Sequence, residues 1–216
     1  MVLDARSTDD FASADLRGAL NVGFTGAMAV TAAAVCDPDD TVAVIVYPGE
    51  EDAPAAHLSE WGFSDVAGVF ALRAGAAFPA KLADLVQSTQ RTSPRELEAL
   101  LADGAVTVID VRGKGDWACG TIPKAIEIAL PDLRGRMHAI PTDKPIVVHS
   151  AAGGRSSTSA SLLRANGLAD VSDLTGGFAQ WERDTRPTKS AKPRKTATSS
   201  RRASATQPRR KTAAKR

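Results

Sequence analysis

The chain has 216 residues, 43% of them hydrophobic, which allows one large domain or two small ones with a buried core. Its two cysteines exclude a disulfide framework and a cysteine-based zinc site. Its acidic N-terminal stretch and short apolar runs exclude a signal peptide and a membrane span. The net charge of +2 is the sum of two unlike parts. Residues 1–183 are acidic, with fifteen Lys and Arg against twenty-four Asp and Glu, and residues 184–216 are basic, with twelve Lys and Arg against one Asp. A soluble, cytoplasmic protein is expected.

Two pairs of segments repeat along the body of the chain. VLDARSTDDFASADLRGALNV (2–22) aligns without gaps on VIDVRGKGDWACGTIPKAIEI (108–128), and LSEWGFSDVAGV (58–69) aligns on LRANGLADVSDL (163–174). A period of this length predicts two homologous domains in tandem, each of about ninety residues.

The first predicted domain, residues 1–85, begins abruptly at Met1. TVAVIVY and VAGVFAL are short apolar runs typical of strands, and Cys36 falls in the predicted last, buried turn of an Ala-rich helix. A predicted helix precedes the second repeat, but the first repeat has no room for its equivalent. Its sheet should therefore lack an opening element and leave a face or edge uncovered. Either the second domain covers that face or the chain is a fragment of a longer protein, and we favour the fragment.

The second predicted domain, residues 90–184, opens with a strong helix-start signal. Ser93 is the predicted N-cap, Pro94 the first helical residue and Glu96 the partner in a capping box. Gly104 should end this helix. AVTVIDV, PIVVH and DVSDL then alternate with helical patterns, which is typical of parallel strands covered by helices. Each repeat is thus predicted to be an α/β doubly wound unit.

Three sequence blocks of the second domain carry a family resemblance: DVR-x3-D-W-x2-G-x-I-P-x-A, VVHSAAGGRSS and LLRANGLADVSDLTGGFAQW. With them, residues 92–184 resemble a rhodanese domain, and residues 1–80 resemble a second, more divergent and N-terminally shortened one. The fold implied is α/β, with two tandem rhodanese-like doubly wound parallel-sheet domains and a disordered basic C-terminal tail.

Tandem modules of this kind resemble the C-terminal half of metallo-β-lactamase–rhodanese fusion proteins. That resemblance implies a zinc hydrolase of the metallo-β-lactamase type, either as a partner or as a missing N-terminal domain. The chain itself has three scattered histidines, His57, His138 and His149, so no metal site and no cofactor are expected in it.

The resemblance implies that the loop after PIVVH is the site. Rhodaneses hold a sulfane sulfur as a persulfide on the cysteine that opens a six-residue loop closing on arginine, and loop amides stabilise its charge. The corresponding loop residues are Ser150, Ala151, Ala152, Gly153, Gly154 and Arg155. Ser150 stands at the nucleophile position and cannot form a persulfide, while His149 should point to the opposite face of the strand. The loop is expected either to retain a site for thiosulfate, phosphate or a persulfide, or to remain only as a fold element.

Other positions depart from the family pattern. Cys119 is the one thiol of the second domain, and it is either an alternative sulfur carrier or an ordinary small helical residue. Thr121 stands where the family has histidine. In the first repeat, Tyr47 or Pro48 aligns with the nucleophile position, and the acids of GEED that follow would repel an anion.

Several residues are expected to serve the fold. Asp110 and Arg112 end a strand, and Arg112 should tie that end to a neighbouring acid, with Asp116 as the candidate partner. Trp181 should anchor the last helix in the core.

The tail, residues 185–216, has no Leu, Ile, Val or aromatic side chain and should be disordered. Its cations predict weak, salt-sensitive nucleic-acid binding, with a solubilising tail or one folded back on the acidic body as alternatives.

Three functions are therefore considered. The first is a catalytically degenerate rhodanese-like protein, a sulfane-sulfur- or anion-binding or regulatory module linked to persulfide metabolism. The second is a low-activity thiosulfate or persulfide sulfurtransferase that uses Cys119 or a partner's thiol. The third is a nucleic-acid-associated protein acting through its basic tail.

Overall fold

The computed structural model describes residues 1–23 and 28–185, whose strands form two parallel sheets. The strands of the first sheet are β1 (Val2–Asp4), β3 (Leu20–Asn21), β4 (Val42–Val46) and β5 (Val66–Ala71), in the order β3-β1-β4-β5. Those of the second are β7 (Arg91–Thr92), β8 (Thr107–Asp110), β9 (Ile126–Glu127), β10 (Ile146–His149) and β11 (Val171–Leu174), in the order β7-β11-β10-β8-β9. The α/β architecture with parallel sheets is therefore confirmed.

Helices cover both sheets and connect their strands. In the first half they are α1 (Thr8–Ser13), α2 (Met28–Val35) and α3 (Ala53–Ser59), with a 3-10 helix at Ala80–Leu85. In the second half they are α4 (Pro94–Ala102), α5 (Lys114–Ala118), α6 (Leu130–Arg136), α7 (Gly154–Ala165) and α8 (Gly177–Thr185), with a 3-10 turn at Met137–Ala139. Within residues 1–23 and 28–185, no helix is long and apolar enough to cross a bilayer.

One large hydrophobic cluster is shared by both sheets. It combines strand and helix residues of the first half with those of the second, including Leu3, Leu20, Val44, Ile109, Leu133, Val148 and Leu163. Residues 1–23 and 28–185 accordingly belong to one compact unit. Cys36, directly after α2, is 1% exposed within this cluster, as predicted, and burial raises the pKa of its thiol to about 12.

A polar seam joins the halves beside this core. Asn21 donates its backbone N–H to Ser161 Oγ at 3.1 Å and accepts from Ser157 Oγ at 2.8 Å, so β3 is hydrogen-bonded directly to α7. The two serines are buried, and their small side chains allow the helix to approach the strand closely. The serine-rich face of α7 is therefore an interface, and its polar groups are satisfied rather than solvent-exposed.

The two sheets share a strand order. The order β3-β1-β4-β5 matches β9-β8-β10-β11, and β7 has no counterpart among the described strands of the first half. Each half also contains the same buried ion pair: Arg6 with Asp4, and Arg112 with Asp110, both closed by a 2.6 Å contact. In each pair the arginine also donates to a backbone carbonyl eight residues further on, at 2.7 Å.

The carboxylate of Asp15 is buried where the end of the first half pairs with its beginning. β2 (Asp15–Leu16) pairs antiparallel with β6 (Val86–Gln87), and Asp15 Oδ1 accepts from Gln87 Nε2 at 2.8 Å. Asp15 Oδ2 is buried and has no hydrogen-bond partner among the described residues. Desolvation raises the pKa of Asp15 from 3.8 to about 6.

The helix-start prediction for the second half is confirmed. Ser93 Oγ accepts from Glu96 N at 3.3 Å, and Ser93 N donates to Glu96 Oε2 at 2.7 Å, which completes the capping box of α4. Gly104, with φ +62°, follows the helix as predicted. The predicted disordered tail lies, apart from Thr185, outside the described residues.

Candidate functional site

The loop 150–155 connects β10 to α7, and its first side chain is used as a cap. Ser150 is 1% exposed, and its Oγ accepts from Gly153 N and Ser156 N, each at 3.2 Å. Ser156 Oγ in turn donates to Gly153 O at 2.9 Å. The hydroxyl at the nucleophile position therefore lies at the bottom of the loop and holds its amides.

The carbonyl side of the loop is bound to the last helix. Phe178 N donates to Ser150 O at 2.8 Å, and Ala179 N donates to Ala151 O at 3.1 Å, so the start of α8 is capped by the loop. Gly177 makes this approach sterically feasible. It has φ +61°, and a Cβ at this position would lie 2.5 Å from Ser150 O.

The amide side of the loop is open. Among the described residues, the backbone N–H groups of Ala151, Ala152, Gly154 and Arg155 have no acceptor. Gly153 turns the chain with φ +105° into the first turn of α7, whose N-terminus carries a partial positive charge. Four amides without an acceptor beside a helix start are the kind of donors that favour an anion.

Arg155 closes the loop from a partly exposed position. Its guanidinium lies 3.6 Å from Asp116, and the two side chains are 42% and 46% exposed. An exposed pair at this distance contributes little free energy, so Arg155 can turn towards a ligand at small cost.

The partner predicted for Arg112 is wrong. Arg112 pairs with Asp110, two residues before it in the chain, through two hydrogen bonds from Nε and one from Nη2, whereas Asp116 faces Arg155. The backbone N–H of Arg112 and the hydroxyl of Thr121 also donate to Asp110, at 3.0 and 2.9 Å. The side chains around Asp110 lower the pKa of its carboxyl against the opposing effect of burial, so this group is a buried, satisfied anion.

His149 offers no base for Ser150. Its ring is fully buried, lies 3.4 Å from Asp110 Oδ2 and stacks on Phe178. Desolvation lowers the pKa of His149 from 6.5 to about 4, so the ring is neutral at neutral pH. Neither ring nitrogen has a hydrogen-bond partner within the part of the chain that the structure describes. No hydrogen bond therefore joins the His149 ring to Ser150 Oγ among the described residues, and Ser150 lacks the activation that a serine nucleophile needs.

Phe178 fixes the first turn of α8 from inside. Its ring lies below the Arg112 guanidinium at 4.2 Å and stacks on Trp181 at 5.9 Å. Trp181 packs against the hydrophobic cluster around Leu97 and Leu174, as expected of an anchor for the last helix.

Arg91 is a site neighbour that the sequence did not reveal. It lies in β7, pairs with Asp173 at 2.8 Å and also contacts Asp9 of the first half. A Cβ built on Gly153 would lie 3.6 Å from its Nη2, so the guanidinium flanks the back of the loop. No local motif marks this arginine, because its partners are 82 residues away in both directions.

The thiols lie outside the loop. Cys119 is exposed and follows α5, the helix that carries Asp116, while Cys36 is buried in the core. In residues 1–23 and 28–185, no three His, Cys, Asp or Glu side chains are grouped to hold a metal ion.

The corresponding loop of the first half differs in register and in charge. In the first sheet Asp4 of β1 pairs with Ile45, and in the second Asp110 of β8 pairs with His149. The position equivalent to Ser150 is therefore Val46, rather than Tyr47 or Pro48. The sequence alignment was therefore wrong by at least one residue.

Acidic side chains occupy the amides of that first-half loop. Glu50 accepts from Tyr47 N at 3.2 Å, and Glu51 accepts from Gly49 N at 2.7 Å. Two amides of this loop are thus already occupied by carboxylates, whose charge opposes the approach of an anion. A cavity of about 500 Å³ separates it from α7 and is lined by Tyr47, Glu50, Gly154, Arg155 and others.

Comparisons with known proteins match the second half. The family model described as "Rhodanese-like domain" covers residues 93–184. Thiosulfate sulfurtransferase GlpE of Pseudomonas fluorescens is 33% identical over 92 residues, which is 43% of this chain and 84% of that protein. Uncharacterized protein YqhL of Bacillus subtilis is 38% identical over 74 residues, which is 34% of this chain and 59% of that protein. The crystal structure of a rhodanese-related protein from Thermoplasma volcanium matches with 28% identity and a TM-score of 0.42, over 45% of this chain and 95% of that chain.

Proposed function

The chain belongs to the rhodanese-like family, and we propose that it is a catalytically degenerate member whose loop binds a small sulfur-containing anion. The observation that carries this proposal is the row of free amides at Ala151, Ala152, Gly154 and Arg155 above a buried, hydrogen-bonded Ser150. Family relatives include a thiosulfate sulfurtransferase, which supports a sulfur-related role.

Binding and transfer make different demands on the loop. An anion needs hydrogen-bond donors and positive charge, and the loop offers four amides without an acceptor together with the Arg155 cation. Sulfur transfer needs in addition an atom that accepts a sulfane sulfur. Ser150 Oγ is held by two amides, and His149 is neutral and directed elsewhere, so the wild-type loop has no activated acceptor atom.

The test separates the two functions on one pair of proteins. Calorimetry should detect thiosulfate binding to the wild-type chain, and Arg155→Ala should weaken it about tenfold through loss of a charge-assisted contact. The matched control is Arg95→Ala, because Arg95 is exposed on α4. The proposal is wrong if thiosulfate does not bind, or if both variants behave alike.

Ser150→Cys tests whether the nucleophile is the missing part. A thiolate at this position would accept hydrogen bonds from the same two amides, Gly153 N and Ser156 N. It would attack the sulfane sulfur of thiosulfate and release sulfite, which leaves a cysteine persulfide. Cyanide would then take the sulfur as thiocyanate and restore the thiolate. We expect no thiocyanate formation with the wild-type chain and catalytic thiocyanate formation with Ser150→Cys.

A second candidate is slow sulfur transfer through Cys119. Its thiol is exposed, and it follows the helix whose Asp116 faces Arg155. The prediction of this alternative is measurable wild-type turnover that Cys119→Ser abolishes and Cys36→Ser leaves intact.

We also propose that residues 1–85 and 90–184 are tandem modules of this family. The shared strand order and the equal geometry of the Arg6–Asp4 and Arg112–Asp110 pairs support this reading. In this arrangement the first module would contribute Tyr47 and Glu50 to the cavity beside Arg155 rather than a second anion site.

A further inference from the structure

A second cavity lies at the end of α7 that is remote from the loop 150–155. It has a volume of about 620 Å³ and is lined by parts of β10 and β11, by the last turn of α7 and by residues 87–90 between the halves. Arg155 and Arg164 stand nine residues apart on α7, which corresponds to about 14 Å along the helix axis. The cavity is therefore separate from the candidate anion site.

Arg164 lines this cavity with most of its hydrogen-bonding capacity unused. A guanidinium has five N–H donors, and the one hydrogen bond that Arg164 makes to the described residues runs from Nη1 to Val171 O at 3.0 Å. It forms no ion pair with them. Burial lowers the pKa of Arg164, and the longer-range attraction of Asp15 and Asp173 does not offset that effect. A partly buried cation without a carboxylate partner favours an anion in the adjoining space.

A second arginine and a polar segment complete the lining. Arg17, on the turn between β2 and β3, is exposed and makes no ion pair within the described part of the chain. The side chains of Ser88, Thr89 and Gln90 likewise make no hydrogen bond to any residue that the structure describes. Of the described residues around the cavity, Asp170 is the one carboxylate, so its lining carries two cations against one anion.

We propose that this cavity binds a small organic anion that carries hydroxyl groups, of the sugar-phosphate or sugar-acid class. Its phosphate or carboxylate group contacts Arg164 and Arg17, because guanidinium groups bind such oxygens through paired donors. Its hydroxyl groups exchange hydrogen bonds with the side chains of Ser88, Thr89 and Gln90. A cavity of about 620 Å³ is in the range that holds small organic ligands, and it is much larger than an inorganic anion requires. This site is independent of the anion-binding function proposed for the loop.

The test follows the backbone amide signals of the full chain by heteronuclear NMR, because this measurement shows where a ligand binds. The probes are ribose 5-phosphate and gluconate, which carry the two kinds of anionic group, and ribose is the uncharged control. We expect saturable shifts at the amides of Ser88, Thr89 and Gln90 with at least one of the two anions and none with ribose. The probe that binds more tightly identifies the anionic group that the cavity prefers.

Substitutions of the two arginines test which side chains hold the anion. Arg164→Gln should weaken binding by at least about tenfold, because the ligand loses charge-assisted hydrogen bonds. Arg17→Gln should weaken it about threefold, and its exposed position allows the test to be made even if Arg164→Gln does not fold. Arg95→Gln is the matched control, since Arg95 is exposed on α4 and lies outside the cavity.

Three results would overturn the proposal. The first is that neither anion shifts the amides of residues 88–90, or that ribose shifts them equally. The second is that the folded variants Arg164→Gln and Arg17→Gln bind as tightly as Arg95→Gln. The third is that the shifts are confined to residues 150–155, since the anion would then occupy the loop instead of the cavity.

Discussion

The contact between Gly177 and the loop gives a sharp quantitative prediction. In Gly177→Ala the new methyl group would meet Ser150 O at 2.5 Å and the backbone of Ala151 at 2.9 Å. Neither neighbour is a flexible side-chain end, so the loop and the start of α8 must separate. The donor bonds from Phe178 N and Ala179 N would lengthen as a result.

The expected loss of stability has two parts. An L-residue at φ +61° costs about 1 kcal/mol, and forcing a methyl group into a closed backbone contact costs about 2 kcal/mol more. For a folded unit of this size, about 3 kcal/mol lowers the thermal midpoint by about 6 to 12 °C. The same displacement should weaken thiosulfate binding, because the loop amides move with their carbonyls.

Gly104→Ala is the control for backbone strain alone. Gly104 has φ +62°, almost the same value, but a Cβ there would meet no atom within 4 Å. It should lose about 1 kcal/mol and bind thiosulfate normally. Chemical denaturation of both variants measures the difference. Equal losses would show that the Gly177 contact does not constrain the loop.

Two buried groups should give opposite pH dependences of stability. Because burial raises the pKa of Asp15 from its ordinary 3.8 to about 6, the folded state binds the proton more tightly, and stability falls as pH rises from about 4 to 6. Asp15→Asn should remove this fall and raise the free energy of unfolding at pH 7.5 by about 2 kcal/mol relative to wild type; a loss at that pH would contradict the assignment. The pKa of His149 is about 4 when folded against 6.5, so stability is present above pH 6.5 and lost as pH falls towards 4. His149→Phe should therefore lose about 2 kcal/mol less than wild type between pH 7.5 and pH 5, measured by urea unfolding at each pH, and parallel curves would refute it.

Local signals in the sequence predicted the elements of the second half well. The capping box joins Ser93 and Glu96, which are three positions apart, so it can be predicted from the sequence without knowledge of the tertiary structure. The short apolar runs likewise predicted β8, β10 and β11, because buried parallel strands are apolar on both faces. The loop 150–155 was placed by motif, and its glycines adopt the conformations that the motif needs.

The partners of charged side chains and the register of strands were harder to predict, because they depend on distances in space that the order of residues along the chain does not give. Arg112 pairs with Asp110 rather than Asp116, because its side chain turns back towards the end of β8 and reaches the carboxylate two residues before it. The shift from Tyr47 to Val46 arose because strand register is set by pairing with β1, which an alignment of the two strand sequences does not contain. Arg91 was missed because its partners Asp9 and Asp173 each lie 82 residues away in the chain.

The bonds from the loop to α8 have a consequence for selectivity. With the carbonyls of Ser150 and Ala151 tied down by Phe178 N and Ala179 N, these peptide groups cannot flip. Their dipoles, like those of the first turn of α7, keep a fixed polarity towards the open side. The sign of the local field is therefore set by the backbone, while the side chain at position 150 sets only the reactivity. Exchanging oxygen for sulfur there would change what the loop can do to a ligand without changing which charge it admits.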